Sequence, residues 1–233
     1  MKNSDDASSG GTGLWEEIYR SGRKVNQYPY DLVVSFVLRR FGAGDRPNTR
    51  ILDYGCGGGN HARFLVAEGF DAYAVDSAPT AVHLSLSAAQ TIRGDVDAAK
   101  FLTADFSRLP FPDNHFHAVI DRQSLGQNCA AQLPVMVREI WRVLAPGGVY
   151  FGINFSDRHP QLRFGRNLGD GDWTDFTGGV FKGLGQKHFF SATELTGLFA
   201  DFNVESIEVL RHDFLLDASR GSEEFIVVAC KPS

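Results

Sequence analysis

Ile51-Leu52-Asp53-Tyr54-Gly55-Cys56-Gly57-Gly58-Gly59-Asn60-His61-Ala62-Arg63-Phe64-Leu65 decides the reading of this chain. An apolar run meets a cluster of glycines, and apolar spacing resumes behind it. That order predicts a buried strand, a tight loop and the opening turns of a helix. Gly55, Gly57 and Gly59 let the backbone turn sharply and come close to a ligand, because no Cβ stands in the way. Asp53 lies at the strand end, just before the glycines. A carboxylate there suits a ligand with a cationic ammonium and repels a pyrophosphate. The dinucleotide pattern G-x-G-x-x-G needs a glycine three places after Gly57, where this chain has Asn60. No G-K-[ST] is present either, which excludes a P-loop.

Working outward, strands are expected at 50–53, 71–76, 100–104, 116–121 and 148–154, with helices at 60–68, 78–91 and 132–144. Pro146-Gly147-Gly148 is expected to end the last helix in a tight turn. Strand–helix alternation at this spacing means a parallel sheet covered on both faces. Residues 155–190 break the pattern, with many Gly, Asp, Asn and aromatic residues and little periodicity. A helix is expected at 191–200, with Ser191 as N-cap and Glu194 in capping-box register. Two strand-like runs, 203–211 and 223–230, end the chain as an antiparallel pair, with residues 217–221 as their loop.

Upstream, residues 14–20 and 31–41 show helical spacing, with Leu32, Val33, Phe36, Val37 and Phe41 on one stripe and Asp31 as a candidate N-cap. The expected organisation is a disordered polar tail at 1–13, an N-terminal helical lid at 14–49 and an α/β domain at 50–233. Residues 155–190 would form a cap inserted in that domain.

The chain has 233 residues and a net charge of −5, with no basic cluster, which argues against a grip on nucleic-acid phosphates. Cys56, Cys129 and Cys230 are widely separated and odd in number, which suits a reducing cytoplasm better than a disulfide framework. No segment approaches the roughly 20 apolar residues that span a bilayer. The first residues lack the apolar core of a signal peptide. No metal-ligand spacing is present.

Ligands of doubly wound sheets bind at the carboxyl ends of the strands, and three further strand ends here carry acids: Asp76, Asp105 and Asp121. The stretch Leu109-Pro-Phe-Pro-Asp-Asn-His-Phe-His-Ala-Val119 and the landmark Leu144-Ala-Pro-Gly-Gly148 follow in order. In this combination, residues 51–154 resemble the class I S-adenosylmethionine (SAM) dependent methyltransferases. The family usually has Asp where this chain has His117. The resemblance implies a Rossmann-like, mostly parallel seven-stranded sheet ending in an antiparallel hairpin. It also implies a cofactor site made of Asp53, Gly55, Cys56, Gly57 and Asn60, with Asp76 and Ser77 at the ribose and Asp105 and Phe106 at the adenine. Asp121 and Arg122 would lie beside the methionine part and the acceptor, and Tyr19, Tyr28 and Tyr30 would close over the cofactor.

The implied activity is methyl transfer from SAM to a hydroxyl or amine of a small molecule of sugar or natural-product type, with S-adenosylhomocysteine (SAH) as product. His159 and His188 are the candidate general bases at neutral pH, with packing or capping as their alternative roles. The chain lacks the [DN]-P-P-[YF] motif of adenine and glutamine amino methylation and the Pro-Cys pair of cytosine-C5 enzymes. A monomer or homodimer is expected, without nucleic-acid or membrane partners. Two other functions stay open: a SAM-binding sensor or partner subunit without catalysis, and a nicotinamide-dependent oxidoreductase.

Overall fold

The computed structural model describes residues 9–217 and 220–233. Helices α1 (Ser9–Arg20) and α2 (Asp31–Phe41) precede the first strand. Then β1 (Arg50–Tyr54), α3 (Asn60–Ala67), β2 (Asp71–Asp76), α4 (Pro79–Gln90), β3 (Phe101–Thr103) and β4 (Phe116–Arg122) alternate. Helix α5 (Leu133–Val143) leads into β5 (Leu144–Phe155). The cap carries β6 (Arg166–Gly169), β7 (Asp172–Thr174) and β8 (Lys187–His188), and α6 (Ala192–Leu198), β9 (Asn203–His212) and β10 (Ser222–Cys230) complete the chain.

The main sheet has the order β3-β2-β1-β4-β5-β10-β9. Its first five members run parallel, and β10 and β9 are antiparallel additions. This is the expected doubly wound, mostly parallel seven-stranded sheet with a terminal hairpin. The order reverses between β1 and β4, and a sheet of this kind opens its ligand crevice at the carboxyl ends of such a pair. One face buries Ile51, Ile120 and Phe151 beneath α2, α3 and α4, with Phe36 of α2 stacked on Phe151 at 4.4 Å between ring centroids. The other buries Leu52, Val119 and Tyr150 beneath α5 and α6. A third cluster, Ile18, Phe155, Phe176, Phe181, Leu184 and Phe189, joins α1 to the cap.

Three local expectations need correction. Residues 155–190 are not wholly irregular, since β6, β7 and β8 form a small antiparallel sheet. Helix α5 stops at Val143, and Pro146-Gly147-Gly148 lies inside β5 as a bulge opposite β4. A Cβ on Gly148 would come within 2.8 Å of the Ala145 and Phe116 carbonyls, so the strand passes only with glycine there. The backbone is already helical from Ser9, within the expected tail, although residues 1–8 lie outside the described residues. His117 does the structural work of the usual Asp: its Nδ1 accepts the Arg50 N–H at 3.0 Å and ties β4 to the start of β1.

Candidate active site

The glycine loop is held from below by β2. Gly55 and Cys56 N–H both donate to the Val75 carbonyl, at 2.8 and 2.9 Å. Gly57 N–H donates to Asp76 Oδ2 at 3.0 Å. Gly55 has φ +72° and Gly57 φ +50°, a region that side chains with a Cβ enter at a cost. Space is equally restrictive. A Cβ on Gly55 would stand 1.9 Å from Ser124 Oγ, and one on Gly57 would stand 2.7 Å from Tyr19 Oη. The loop is therefore pressed between the end of β4 and the N-terminal segment. The Cys56 side chain is buried, and its thiol is pushed up first by desolvation and then by Asp76.

The strand-end acids divide by environment. Asp53 is buried, accepts the Ala62 N–H at 3.0 Å and lies 3.6 Å from His61 Nδ1. It pins the start of α3. Asp121 is fully buried, and its oxygens take the Ser124 N–H at 2.7 Å, the Leu125 N–H at 3.4 Å and the Tyr150 hydroxyl at 3.0 Å. That arrangement turns it into the core, away from the expected cofactor contact, and makes it the residue that shapes the loop after β4. Asp76 accepts Gly57 N–H and, at 2.9 Å, Ala78 N–H. Burial raises it to about 6 against the pull of those backbone donors. Burial likewise raises Asp121 to about 6. Asp105 is exposed at the rim beyond β3, with Oδ1 taken by the Ser107 N–H at 2.7 Å. Phe106 leans on Tyr54, with ring centroids 4.5 Å apart.

An N-terminal strap lies across this edge. Glu16 of α1 accepts both the Thr80 N–H at 2.9 Å and the Thr80 hydroxyl at 2.6 Å. Helix α4 starts with Ala78 at its N-cap and Pro79 at N1, and Ala78 offers no side-chain cap. Glu16 supplies that cap from a distant part of the chain, where a negative charge also suits the helix dipole. Tyr19 thereby sits over Gly57, and its hydroxyl is pushed up by burial and then by Asp76. Asn60 Nδ2 donates to the Tyr28 carbonyl at 3.0 Å. Tyr28 does not close over the loop with its ring, which is 80% exposed. Tyr30 lies instead against the end of β4 and the start of α3, with its ring 6.0 Å from that of His61. The Arg122 guanidinium lies 3.8 Å from the Tyr30 ring centroid and donates to the Tyr30 hydroxyl.

Neither candidate histidine is free for proton transfer. His159 is buried among Phe155, Phe181 and Phe189. Its Nδ1 accepts the Gln161 N–H at 3.2 Å, and burial drives it down to about 4. His188 is fully buried, with Nδ1 2.8 Å from Asp172 Oδ1 and Nε2 2.9 Å from Glu194 Oε1. Burial alone would lower it, but the two carboxylates prevail and raise it. It clamps the cap to α6. Sequence reasoning missed Glu16, whose partner Thr80 is remote in the chain and leaves no local pattern.

The residues present fit the expected cofactor. Arg122 Nε is buried without a hydrogen-bond partner, as a donor awaiting an acceptor would be. The Asp105 carboxylate stands at the rim where an adenine amino group would donate. Asp76, beneath the loop, can take ribose hydroxyls on lone pairs its backbone donors leave.

Comparison with known proteins agrees. Residues 51–148 match the family model described as a methyltransferase domain. The chain is 33% identical over 139 residues to the sterol 24-C-methyltransferase erg6 of Aspergillus fumigatus, covering 55% of this chain and 36% of the relative. It thus spans about a third of the length of such curated relatives. In fold it is similar to the 1,6-didemethyltoxoflavin-N1-methyltransferase of Burkholderia thailandensis, solved with SAH (TM-score 0.69, 19% identity, 95% of this chain and 87% of that one). It is also similar to the [4+2]-cyclase SpnF (TM-score 0.62, 21% identity, 95% and 92%). The matched segment opens on β1 and closes at Gly148, so it contains the glycine loop and every acid-ended strand, and over these residues the chain is similar to class I S-adenosylmethionine-dependent methyltransferases.

Proposed function

We propose that the protein transfers a methyl group from SAM to a hydroxyl or amine of a small-molecule acceptor. The observation that carries this reading is the glycine loop at the switch point of the sheet, tied to Asp76, covered by Tyr19 at Gly57 and approached by Phe106 at Gly55. When bound, SAM supplies a methyl group on a cationic sulfur, already activated toward a nucleophile. The chain's own residues align and shield. Asp76 would take the ribose hydroxyls and Asp105 the adenine amino group, with Phe106 beside it. Gly55, Gly57, Asn60 and Ser77 would border the cofactor, and Asp53, Cys56 and Asp121 would hold the loops in shape. The strap and the aromatic cap exclude water, and alignment of this kind can lower a barrier by roughly 7–11 kcal/mol. His159 and His188 play no proton-transfer role in this scheme.

For the acceptor we favour a sugar or natural product, on the strength of the aromatic and polar cap. The sterol relatives favour a sterol, but that likeness covers 55% of this chain. Transfer from methyl-labelled SAM into sugars, phenolic natural products and sterols separates these classes. We place the protein in the cytoplasm, as a monomer or homodimer. No helix among the described residues is long and apolar enough to cross a membrane.

A second reading is SAM binding without methyl transfer, since a fold of this kind is also found in a [4+2]-cyclase. Label transfer to any acceptor removes it. The cofactor assignment is tested by calorimetric titration of SAH, where Asp105→Ala should weaken binding more than about tenfold, the loss of a hydrogen bond to a charged group.

A further inference from the structure

Three segments meet at the carboxyl edge of the sheet, where its crevice opens: the link 21–30 between α1 and α2, the cap, and the loop 213–221 between β9 and β10. Ser222 pairs with His212 and Glu224 with Phe155, so the β9–β10 loop lies at the carboxyl end of β5, where the cap begins. A Cβ on Gly221 would stand 3.3 Å from Pro160 Cγ. The link lies on the glycine loop, where a Cβ on Gly58 would stand 3.0 Å from Val25 Cγ1. Helix α1 joins link and cap, with Leu14 against Gly185 and the Trp15 ring 5.5 Å from Lys187 Nζ.

This edge carries large apolar side chains that the fold leaves in water. Leu215 is 96% exposed, Leu216 is fully exposed, and Phe214 is exposed beside them. Tyr28 of the link and Leu168 and Val180 of the cap are exposed as well. Two adjacent leucines held out of the core at a loop tip contribute nothing to folding, and an exposed apolar cluster of this kind marks a contact surface. The charge around them is opposite to that of the chain. Exposed Arg23, Lys24, Arg158 and Lys182 have no carboxylate partner among the described residues, against the exposed acids Asp157 and Asp170 in the same state. The link holds no acid at all, in a chain of net charge −5. Apolar tips surrounded by unpaired cations complement an anionic lipid surface. The tips protrude from separate segments, which suits a soft plane better than a protein groove.

We propose that the carboxyl edge of the sheet docks on an anionic lipid surface, with Leu215 and Leu216 as the inserting tip and Arg23, Lys24, Arg158 and Lys182 against the headgroups. Such docking is interfacial. The tip sinks only into the boundary between headgroups and acyl chains, so no spanning helix is required. Docking in this orientation turns the mouth of the crevice toward the lipid.

The test is co-sedimentation of the full chain with vesicles of phosphatidylcholine alone and of equal parts phosphatidylcholine and phosphatidylglycerol. It compares wild type with the double variants Leu215→Ser/Leu216→Ser and Arg23→Gln/Lys24→Gln. Wild type should bind the anionic vesicles at least about tenfold more tightly than the neutral ones, and high salt should weaken that binding. The leucine variant should lose about tenfold or more on anionic vesicles, since its tip no longer leaves water for the acyl boundary. The Arg23/Lys24 variant should lose about fivefold or more on anionic vesicles and little on neutral ones. Because all four side chains are exposed, unfolding temperatures should match wild type, which separates lost docking from lost folding. The proposal falls if wild type does not prefer the anionic vesicles, or if the leucine variant binds them as wild type does. It falls as well if no vesicle is bound and sedimentation velocity shows a wild-type dimer that the leucine variant loses, because the tip then meets a second copy of the chain. Vesicle binding is read without SAM or SAH, so failure of the cofactor reading and failure of lipid docking are separate results.

Discussion

Replacing Asp76 with Asn separates the stability of this site from its affinity. Asp76 is 6% exposed, and burial raises it to about 6. Against an ordinary Asp, that means holding the ionised form at pH 7.5 costs the fold about 3 kcal/mol. Asn removes the charge and keeps one acceptor for Gly57 or Ala78 N–H, while its amide hydrogens confront the other donor. Leaving a buried donor unsatisfied costs about 1–3 kcal/mol. The two effects nearly cancel, so the ligand-free Asp76→Asn protein should be between unchanged and about 2 kcal/mol more stable. In a chain of this length that is a rise of up to about 8 °C.

Affinity moves the other way. Hydroxyls donating to an ionised acceptor lose about 1.5–3 kcal/mol with a neutral one, so SAH should bind about 10–100 times more weakly. The sign of the pH effect follows from the raised value. Asp76 destabilises the fold when ionised, an effect absent below about pH 4 and complete above about 6. The stability gap between variant and wild type should therefore shrink as pH falls from 7.5 to 5. Scanning fluorimetry without ligand and titration calorimetry with SAH read both quantities. A variant destabilised by more than about 2 kcal/mol with unchanged SAH affinity would refute this reasoning.

Further outcomes follow from the strap and the cap. Glu16→Gln and Thr80→Val should both speed SAH dissociation in stopped-flow measurements and leave association little changed, because they loosen the cap that α1 places on α4. Equal effects on both rates would argue against a latch. His188→Asn leaves Asp172 and Glu194 facing each other without their shared cation, so the fold should lose about 3–5 kcal/mol in denaturant melts. His159→Phe should retain at least half of any transferase activity, whereas a general base would not tolerate it. Gly57→Ala should weaken SAH binding by displacing Tyr19, and the double variant with Tyr19→Ala should be no weaker than Gly57→Ala alone.

What the sequence disclosed follows physical range. The strand–loop–helix of residues 51–65 is written in contiguous residues, and the acids Asp76, Asp105 and Asp121 were visible because strand ends are. Their roles were not equally visible. Nothing local distinguishes Asp121, turned inward onto Tyr150, from Asp105, left at the rim. Strands β7 and β8 are too short to show a period-two pattern, and their pairing is fixed by His188 reaching Asp172 across the small sheet. Glu16 capping Thr80 and Arg122 meeting Tyr30 join residues far apart in sequence, so only the folded chain reveals them.

The central claim is that the glycine loop binds SAM, and thermal unfolding with SAH, NADH and NADPH in parallel tests it most directly. A ligand at about 100 times its Kd stabilises by roughly 2.7 kcal/mol, a rise on the order of 5–10 °C at this length. The account predicts that rise with SAH alone, reduced in Asp105→Ala. A rise with a nicotinamide nucleotide and none with SAH would contradict it.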